Sequence, residues 1–257
     1  KIDLDTANGA TYRVAPEIMR RLGAEVTVVA DAPDGANINE GCGSTHIEGL
    51  AALVQAGEFD AGFAFDGDGD RLLAVDASGR VLDGDELIAI AAVHLRREGR
   101  LPGEGVAVTV MTNFGFHNAM EEAGIAVEVT PVGDRHVLEA LLEKGWALGG
   151  EQSGHVIERG FVPSGDGTAS ALLTLEALKA AGQTLAEANP MQKLPQCLEN
   201  VRVADRDAIE GAERVWSAVA AADAELVGRG RVLVRASGTE PLVRVMVEAP
   251  SDEEASE

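Results

Sequence analysis

A helix that stops at a glycine and is followed at once by a β-branched run occurs twice, about a hundred residues apart. The two segments are Arg20-Arg-Leu-Gly-Ala-Glu-Val-Thr-Val-Val29 and Glu121-Glu-Ala-Gly-Ile-Ala-Val-Glu-Val-Thr130. In the first copy a helix over 14–22 ends at Gly23 and 26–30 reads as a strand; in the second, 114–123 ends at Gly124 and 125–130 is the strand. Each is followed by another helix and strand. Thr45 with Glu48 forms a capping-box pattern for a helix reaching Gly57, then Phe59 to Phe65 is a strand. Val137 to Lys144 ends at Gly145, then Trp146 to Gly149 is a strand. Asp83 with Glu86 opens a helix to about Arg97, Val106 to Met111 is a strand, and 168–181 is a long helix. Strands alternating with helices of this length predict an α/β fold with mainly parallel sheets, here as two related domains. Gly99, Pro102, Gly103 and Gly105 make a turn-rich joint, and Asn189 to Pro195 a Pro-containing link. The expected domains are therefore 1–98, 99–188 and 196–257. The last is a smaller α+β domain with a strand at 201–204, a helix at 207–221 and a hairpin over 231–247.

Charge narrows the partners. With 43 acidic and 21 basic residues among 257, the formal net charge is −22, spread along the chain rather than held in one tail. Nucleic-acid and anionic-membrane surfaces need clustered Lys and Arg, so neither is expected. The longest strongly apolar run, Leu87 to Leu95, carries His94 and is too short to span a bilayer. Cys42 and Cys197 are far apart with no second cysteine nearby, which excludes a zinc knuckle and a disulfide framework and fits reduced thiols in the cytoplasm. Lys1 lies directly in an apolar run, and Ser251 with Glu254 is a capping-box pattern close to Glu257. The expectation is a fragment of a longer protein.

Three loops carry the chemistry. Asp66-Gly67-Asp68-Gly69-Asp70-Arg71 follows the apolar strand 59–65, at the end of a strand where α/β sites lie. Carboxylates at every second position fall on one side of an extended or curled segment, and the glycines let the backbone wrap. Three hard oxygen ligands suit Mg²⁺ and leave positions for water and a phosphate oxygen. An EF-hand is excluded, because Arg71 and Ala77 stand where its Gly and Glu are needed. A solvated acidic turn is the alternative. Gly150-Glu151-Gln152-Ser153-Gly154-His155 sits at the corresponding place in the second copy. By the same period, Glu151, Ser153 and His155 share a face suited to sugar hydroxyls, and His155 could move a proton. Alone, this loop is equally compatible with an incidental polar turn. Arg235-Ala-Ser237-Gly238-Thr239-Glu240-Pro241 joins two apolar runs. Its hydroxyls and backbone amides can form an anion-binding concavity to which Arg235 adds a bidentate fork. Arg229, Arg231 and Arg244 are near in sequence, and the alternative is a hairpin with a solvated basic face.

Together and in this order, the loops resemble those of the α-D-phosphohexomutase superfamily: DGDGDR as metal loop, GEQSGH as sugar loop and RASGTEP as phosphate loop. Asn37 to His46, Val132 to Arg135 and Pro241 to Met246 are similar to the bacterial group that works on glucosamine phosphates. The resemblance implies four domains, of which this chain would hold the second, the third and most of a TATA-binding-protein-like fourth. The first, with its phosphorylated serine, and the closing helix would be missing. It implies interconversion of glucosamine 6-phosphate and glucosamine 1-phosphate through glucosamine 1,6-bisphosphate, an amino-sugar step toward peptidoglycan precursors. It further implies one Mg²⁺ on Asp66, Asp68 and Asp70, with Arg71 and His155 catalytic. Glu151, Ser153 and His155 would read the sugar, and Arg235, Ser237, Gly238 and Thr239 would hold the phosphate that is not reacting. Loops on separate domains would close around the substrate. A phosphomannomutase/phosphoglucomutase would share every loop, and the fragment alone could be a non-catalytic metal and sugar-phosphate binding module. The oligomeric state is left open.

Overall fold

The computed structural model describes residues 1–205, 207–237 and 240–256. They form two compact units, one of 1–112 with 116–191, the other of 113–115 with 192–257.

In chain order the first unit contains β1 (Ile2–Asp5), α1 (Val14–Arg21), β2 (Val26–Val29), α2 (Glu48–Ala56), β3 (Ala61–Phe65), β4 (Leu72–Asp76), β5 (Val81–Leu82) and α3 (Gly84–Arg97). These are followed by β6 (Gly105–Thr109), α4 (Phe114–Glu122, whose first two residues belong to the second unit), β7 (Ala126–Thr130), α5 (Asp134–Lys144), β8 (Leu148–Gly150), β9 (Val156–Glu158), α6 (Gly167–Ala181) and α7 (Leu185–Ala188). One sheet has the order β2-β1-β3-β4-β5 and the other β7-β6-β8-β9. In both, the first three strands are parallel and the chain then turns back antiparallel. Strand for strand, β1-α1-β2-α2-β3-β4 matches β6-α4-β7-α5-β8-β9, so the repeat seen in the sequence is a repeat of topology. The β3–β4 connection is the DGDGDR loop and the β8–β9 connection is the GEQSGH loop. They occupy equivalent places.

Helix α3 binds the two sheets into one body. Its capping box between Asp83 and Glu86 forms as the sequence predicts. Its sides feed different cores, Leu87 and Ile90 into one and Ile88, Ala92 and Leu95 into the other. Each such buried aliphatic side chain contributes about 1.5–3 kcal/mol. The capping role expected of Thr45 is not observed. Thr45 lies in a short 3₁₀ turn, Ser44–His46, and α2 starts behind Ile47 without a side-chain cap. Helix α5 begins at Asp134, earlier than expected, because Gly133 at φ 127° turns the chain into it.

The second unit has β10 (Gln196–Arg202), α8 (Glu213–Glu225), β11 (Arg231–Ala236), β12 (Leu242–Glu248) and α9 (Asp252–Ser256). The expected hairpin forms, with β12 at the centre of the antiparallel order β10-β12-β11. The strand expected at 201–204 is the end of the longer β10. The helix expected from 207 is a 3₁₀ turn, Asp207–Gly211, followed by α8. Val232, Val234, Val245 and Val247 line a groove with Val215, Ala218, Val219 and Ala222 of α8. The other face of the sheet carries the polar row described below.

Candidate functional site

The DGDGDR loop is held by backbone contacts on several sides. Gly67 O accepts the Ala10 amide at 2.9 Å, Gly69 O accepts the Gly167 amide at 2.9 Å, and the Leu72 amide donates to Gly154 O at 3.0 Å. Within the loop, Asp66 Oδ1 accepts the amides of Gly69 (3.0 Å) and Arg71 (3.2 Å). The segment is a turn, so the alternation of an extended strand does not apply. Asp66 and Asp70 are half-buried and hydrogen-bonded to each other, whereas Asp68 and Arg71 are exposed. Burial, and then the bond to Asp70, push the Asp66 carboxyl above its usual range. Burial acts the same way on Asp70, but its bond with Asp66 and the neighbouring His155 outweigh it and hold Asp70 low. Among the described residues, no three His, Cys, Asp or Glu side chains stand as a ready-made metal cage. The donor set nonetheless fits a hard cation: Asp66 and Asp70 are neighbouring carboxylates whose negative charges Mg²⁺ would offset.

The GEQSGH loop is seated against the same region. Gly84 donates its amide to Gln152 O at 3.0 Å, and Glu151 and His155 close the turn with a backbone bond of 3.1 Å. A Cβ at Gly84 would lie 2.1 Å from Glu151 O, and one at Gly154, where φ is +93°, would lie 2.2 Å from Leu72 O. Gly154→Ala is therefore expected to cost about 1–3 kcal/mol by overpacking and a further 1–2 kcal/mol or so from the left-handed backbone. An unchanged thermal midpoint for the first unit would contradict this seat. Here, too, the side chains do not share one face. Ser153 is exposed, and Glu151 is half-buried with Oε1 accepting the Gly133 amide at 3.0 Å. His155 is 6 % exposed. Its Nδ1 is 3.0 Å from Asp70 Oδ2, and its Nε2 accepts the Gly165 amide at 3.2 Å. Both ring nitrogens are engaged, and the ring links the two loops.

In the second unit the four arginines near the RASGTEP loop separate by role. Arg231 pairs with buried Glu248 at 2.7 Å and Arg229 pairs with Glu254. Arg235 and Arg244 stand directly opposite each other on β11 and β12, and Asn200 of β10 is the next cross-strand neighbour of Arg244. Like charges in register repel, and an anion between them relieves that. Burial, and then the Arg244 charge, hold the Arg235 guanidinium below its ordinary value. Arg244 Nε is buried without a hydrogen-bond partner among the described residues. Ser237 is 3 % exposed, with Oγ accepting the Glu240 amide at 3.3 Å. Gly238 and Thr239 lie outside the described residues.

Sequence reasoning missed Asp5 and the glycines that lead into α6. Asp5 is 3 % exposed and accepts the amides of Ala7 (2.9 Å) and Gly43 (2.7 Å), folding both neighbouring loops around the DGDGDR turn. The available signal was a carboxylate ending an apolar run, the strand end where α/β sites form.

Three family models match the chain in sequence. They are phosphoglucomutase/phosphomannomutase alpha/beta/alpha domain II over residues 1–79, alpha/beta/alpha domain III over 83–194 and the C-terminal domain over 198–257. Similar curated relatives include the phosphoglucosamine mutases of Desulforudis audaxviator and Bacillus subtilis. They are 53 % and 49 % identical to it, each over 98 % of this chain and 56 % of the relative. The chain thus spans little more than half the length of these relatives. Among solved structures, Aspergillus fumigatus N-acetylphosphoglucosamine mutase in complex with GlcNAc-6P and magnesium superposes with a TM-score of 0.80. Its identity is 23 %, over 99 % of this chain and 59 % of that one. A phosphoglucomutase/phosphomannomutase family protein from Burkholderia thailandensis gives 0.79 at 25 % identity, over 99 % and 57 %. Matched along almost its whole length by three successive domains of one enzyme family, the chain belongs to the phosphoglucomutase/phosphomannomutase family.

Proposed function

We propose that the chain is the metal-, sugar- and phosphate-binding part of a phosphoglucosamine mutase, interconverting glucosamine 6-phosphate and glucosamine 1-phosphate through glucosamine 1,6-bisphosphate. The observation that carries this reading is the Asp66–Asp70 carboxylate pair, tied through His155 to the loop holding Glu151 and Ser153. The names of the relatives at about half identity support the substrate. The magnesium and GlcNAc-6P of one structural neighbour, and the glucose 1,6-bisphosphate bound to a serine-to-alanine variant of the A. fumigatus enzyme, support the class of cofactor and intermediate.

Asp66, Asp68 and Asp70 would hold Mg²⁺, which supplies positive charge next to a phosphoryl group. Phosphoryl transfer is mostly positioning and charge stabilisation, so the chain's own groups orient and neutralise. Exposed Arg71 adds charge beside the carboxylates. Ser153 and the Glu151 oxygen not held by Gly133 are acceptors for sugar hydroxyls. Arg235 and Arg244, with Ser237, Gly238 and Thr239, would grip the phosphate that is not reacting. The phosphorylated serine would come from a segment outside this chain, which fits the length of the relatives. Both cysteines are unbridged and no helix among the described residues is long and apolar enough to cross a membrane; the first supports a reducing, cytoplasmic setting.

The test is a mutase assay of the chain with and without the N-terminal segment of a full-length relative. Activity that appears only with the added segment is expected, and inactivity of the joined protein would overturn the reading. Arg235→Ala in that protein should raise KM for glucosamine 6-phosphate at least tenfold, since a hydrogen bond to a charged group is worth about 1.5–3 kcal/mol. An unchanged KM would remove Arg235 from the phosphate site.

A further inference from the structure

We propose that Asp5 is a positioning residue for the DGDGDR loop, tying the turn Thr6–Gly9 and the bend at Gly43 against the main chain on both sides of Asp66. Asp5 ends β1, the strand between β2 and β3, and stands opposite Ala64 of β3, two residues before Asp66. One oxygen of its buried side chain accepts the Ala7 amide at 2.9 Å, and the other accepts the Gly43 amide at 2.7 Å. The place therefore needs two acceptors on one side chain. An Asn here would turn its own NH₂ toward one of the two N–H groups.

Each oxygen holds a segment that meets the loop. Ala7 and Asn8 both have left-handed backbone, at φ 53° and 48°, and the Gly9 amide closes the turn on Thr6 O at 2.8 Å. Asn tolerates that conformation, but Ala adopts it only under strain, so Ala7 has to be held there. The Ala10 amide then reaches Gly67 O at 2.9 Å, between Asp66 and Asp68. A Cβ on Gly9 would lie 2.4 Å from that same oxygen, so turn and loop meet main chain to main chain. On the other side, a Cβ on Gly43 would lie 2.6 Å from Ala7 Cβ and 2.7 Å from Phe65 O, the carbonyl preceding Asp66. Asp5 thus acts through these two segments. The value of this to cation binding rests on the reading of Asp66, Asp68 and Asp70 as ligands. Groups that orient metal ligands are worth about 10–100-fold in affinity, and Asp5, one contact further away, belongs at the lower end.

Hydrogen exchange of the Ala10 amide, followed by NMR of the ¹⁵N-labelled chain without metal, reads the seat directly. Asp5→Asn should speed that exchange about tenfold or more while the amides of β6, in the other sheet, keep their rates. An unchanged Ala10 rate, or equal speeding in β6, overturns the proposal. Mn²⁺ titration by calorimetry then measures the consequence. Asp5→Asn should lose about tenfold in affinity, and so should Gly9→Ala, where the backbone is not left-handed and the new Cβ meets Gly67 first. Adding Ala7→Gly to Asp5→Asn should recover about threefold or more, because glycine takes the left-handed turn without being held. A loss through general destabilisation would instead deepen when a buried methyl is removed. Wild-type affinity in Gly9→Ala overturns the positioning role even if Asp5→Asn fails to fold, and so does a double variant with no recovery. A wild-type chain without Mn²⁺ affinity would defeat the cation reading instead, and Ala10 exchange would still decide whether Asp5 seats the turn.

Discussion

Asp70→Ala is expected to weaken Mn²⁺ binding by more than the roughly 10–100-fold that loss of a supporting hydrogen bond costs. In a full-length mutase, turnover should fall by about 10²–10³-fold or more, the range seen when one preorganised electrostatic group is removed. Asp70 meets Asp66 on one side and His155 on the other, so its loss would remove a proposed cation ligand and leave the ring without its carboxylate. Of the three proposed ligands only Asp66 and exposed Asp68 would remain, too few to hold a divalent ion at comparable strength. Calorimetric titration of the variant with Mn²⁺, beside a circular dichroism spectrum to show that it is folded, is the check. Wild-type affinity in a folded Asp70→Ala chain would sink the metal assignment of the whole loop.

The largest expected loss of stability is at Glu248. Its side chain is fully buried and accepts Arg231 Nε at 2.7 Å, Asn113 Nδ2 at 3.0 Å and the Phe114 amide at 3.0 Å. Glu248→Ala strands these donors, one of them a guanidinium only 19 % exposed. Breaking a buried pair from one side costs about 3–5 kcal/mol. Since Arg231 and Arg235 share one face of β11, the row that presents Arg235 and Arg244 should be lost with it. Denaturant unfolding followed through Trp216, on α8 of the same unit, measures the cost. A shift below about 1 kcal/mol would mean that the buried charge is not what holds this face.

The fold was legible because its periodicities are local. Gly23 and Gly124 end helices in plain view, and the Asp83/Glu86 box opens α3 where the pattern places it. The candidate site was legible as three loops, because DGDGDR at the end of a buried strand is an unusual concentration of carboxylates. What stayed hidden depends on contacts between distant residues. Nothing in the sequence near Gly165 or Gly167 says that their amides reach His155 and Gly69, because hydrogen bonds of backbone leave no side-chain pattern. Period-two reasoning placed Asp66, Asp68 and Asp70 on one face, and Glu151, Ser153 and His155 likewise. It missed because both segments are turns, where successive side chains no longer alternate. The pairing of Arg231 with Glu248, and the placing of Arg235 directly opposite Arg244, likewise need the strand register.

The loop between β8 and β9 is anchored by Gly84, Gly154 and Leu72 through amides and carbonyls, groups that every residue possesses. Its seat is thus written in main chain, while Ser153 is exposed and Gln152 half-buried. Architecture and recognition are separable here. If the loop reads the sugar as proposed, exchanging those two side chains would alter which hydroxyls or substituents it favours, without re-solving how the loop is held. On that reading, divergence among related sugar phosphates would need only a pair of codons, and a laboratory library confined to the same pair would retrace that route.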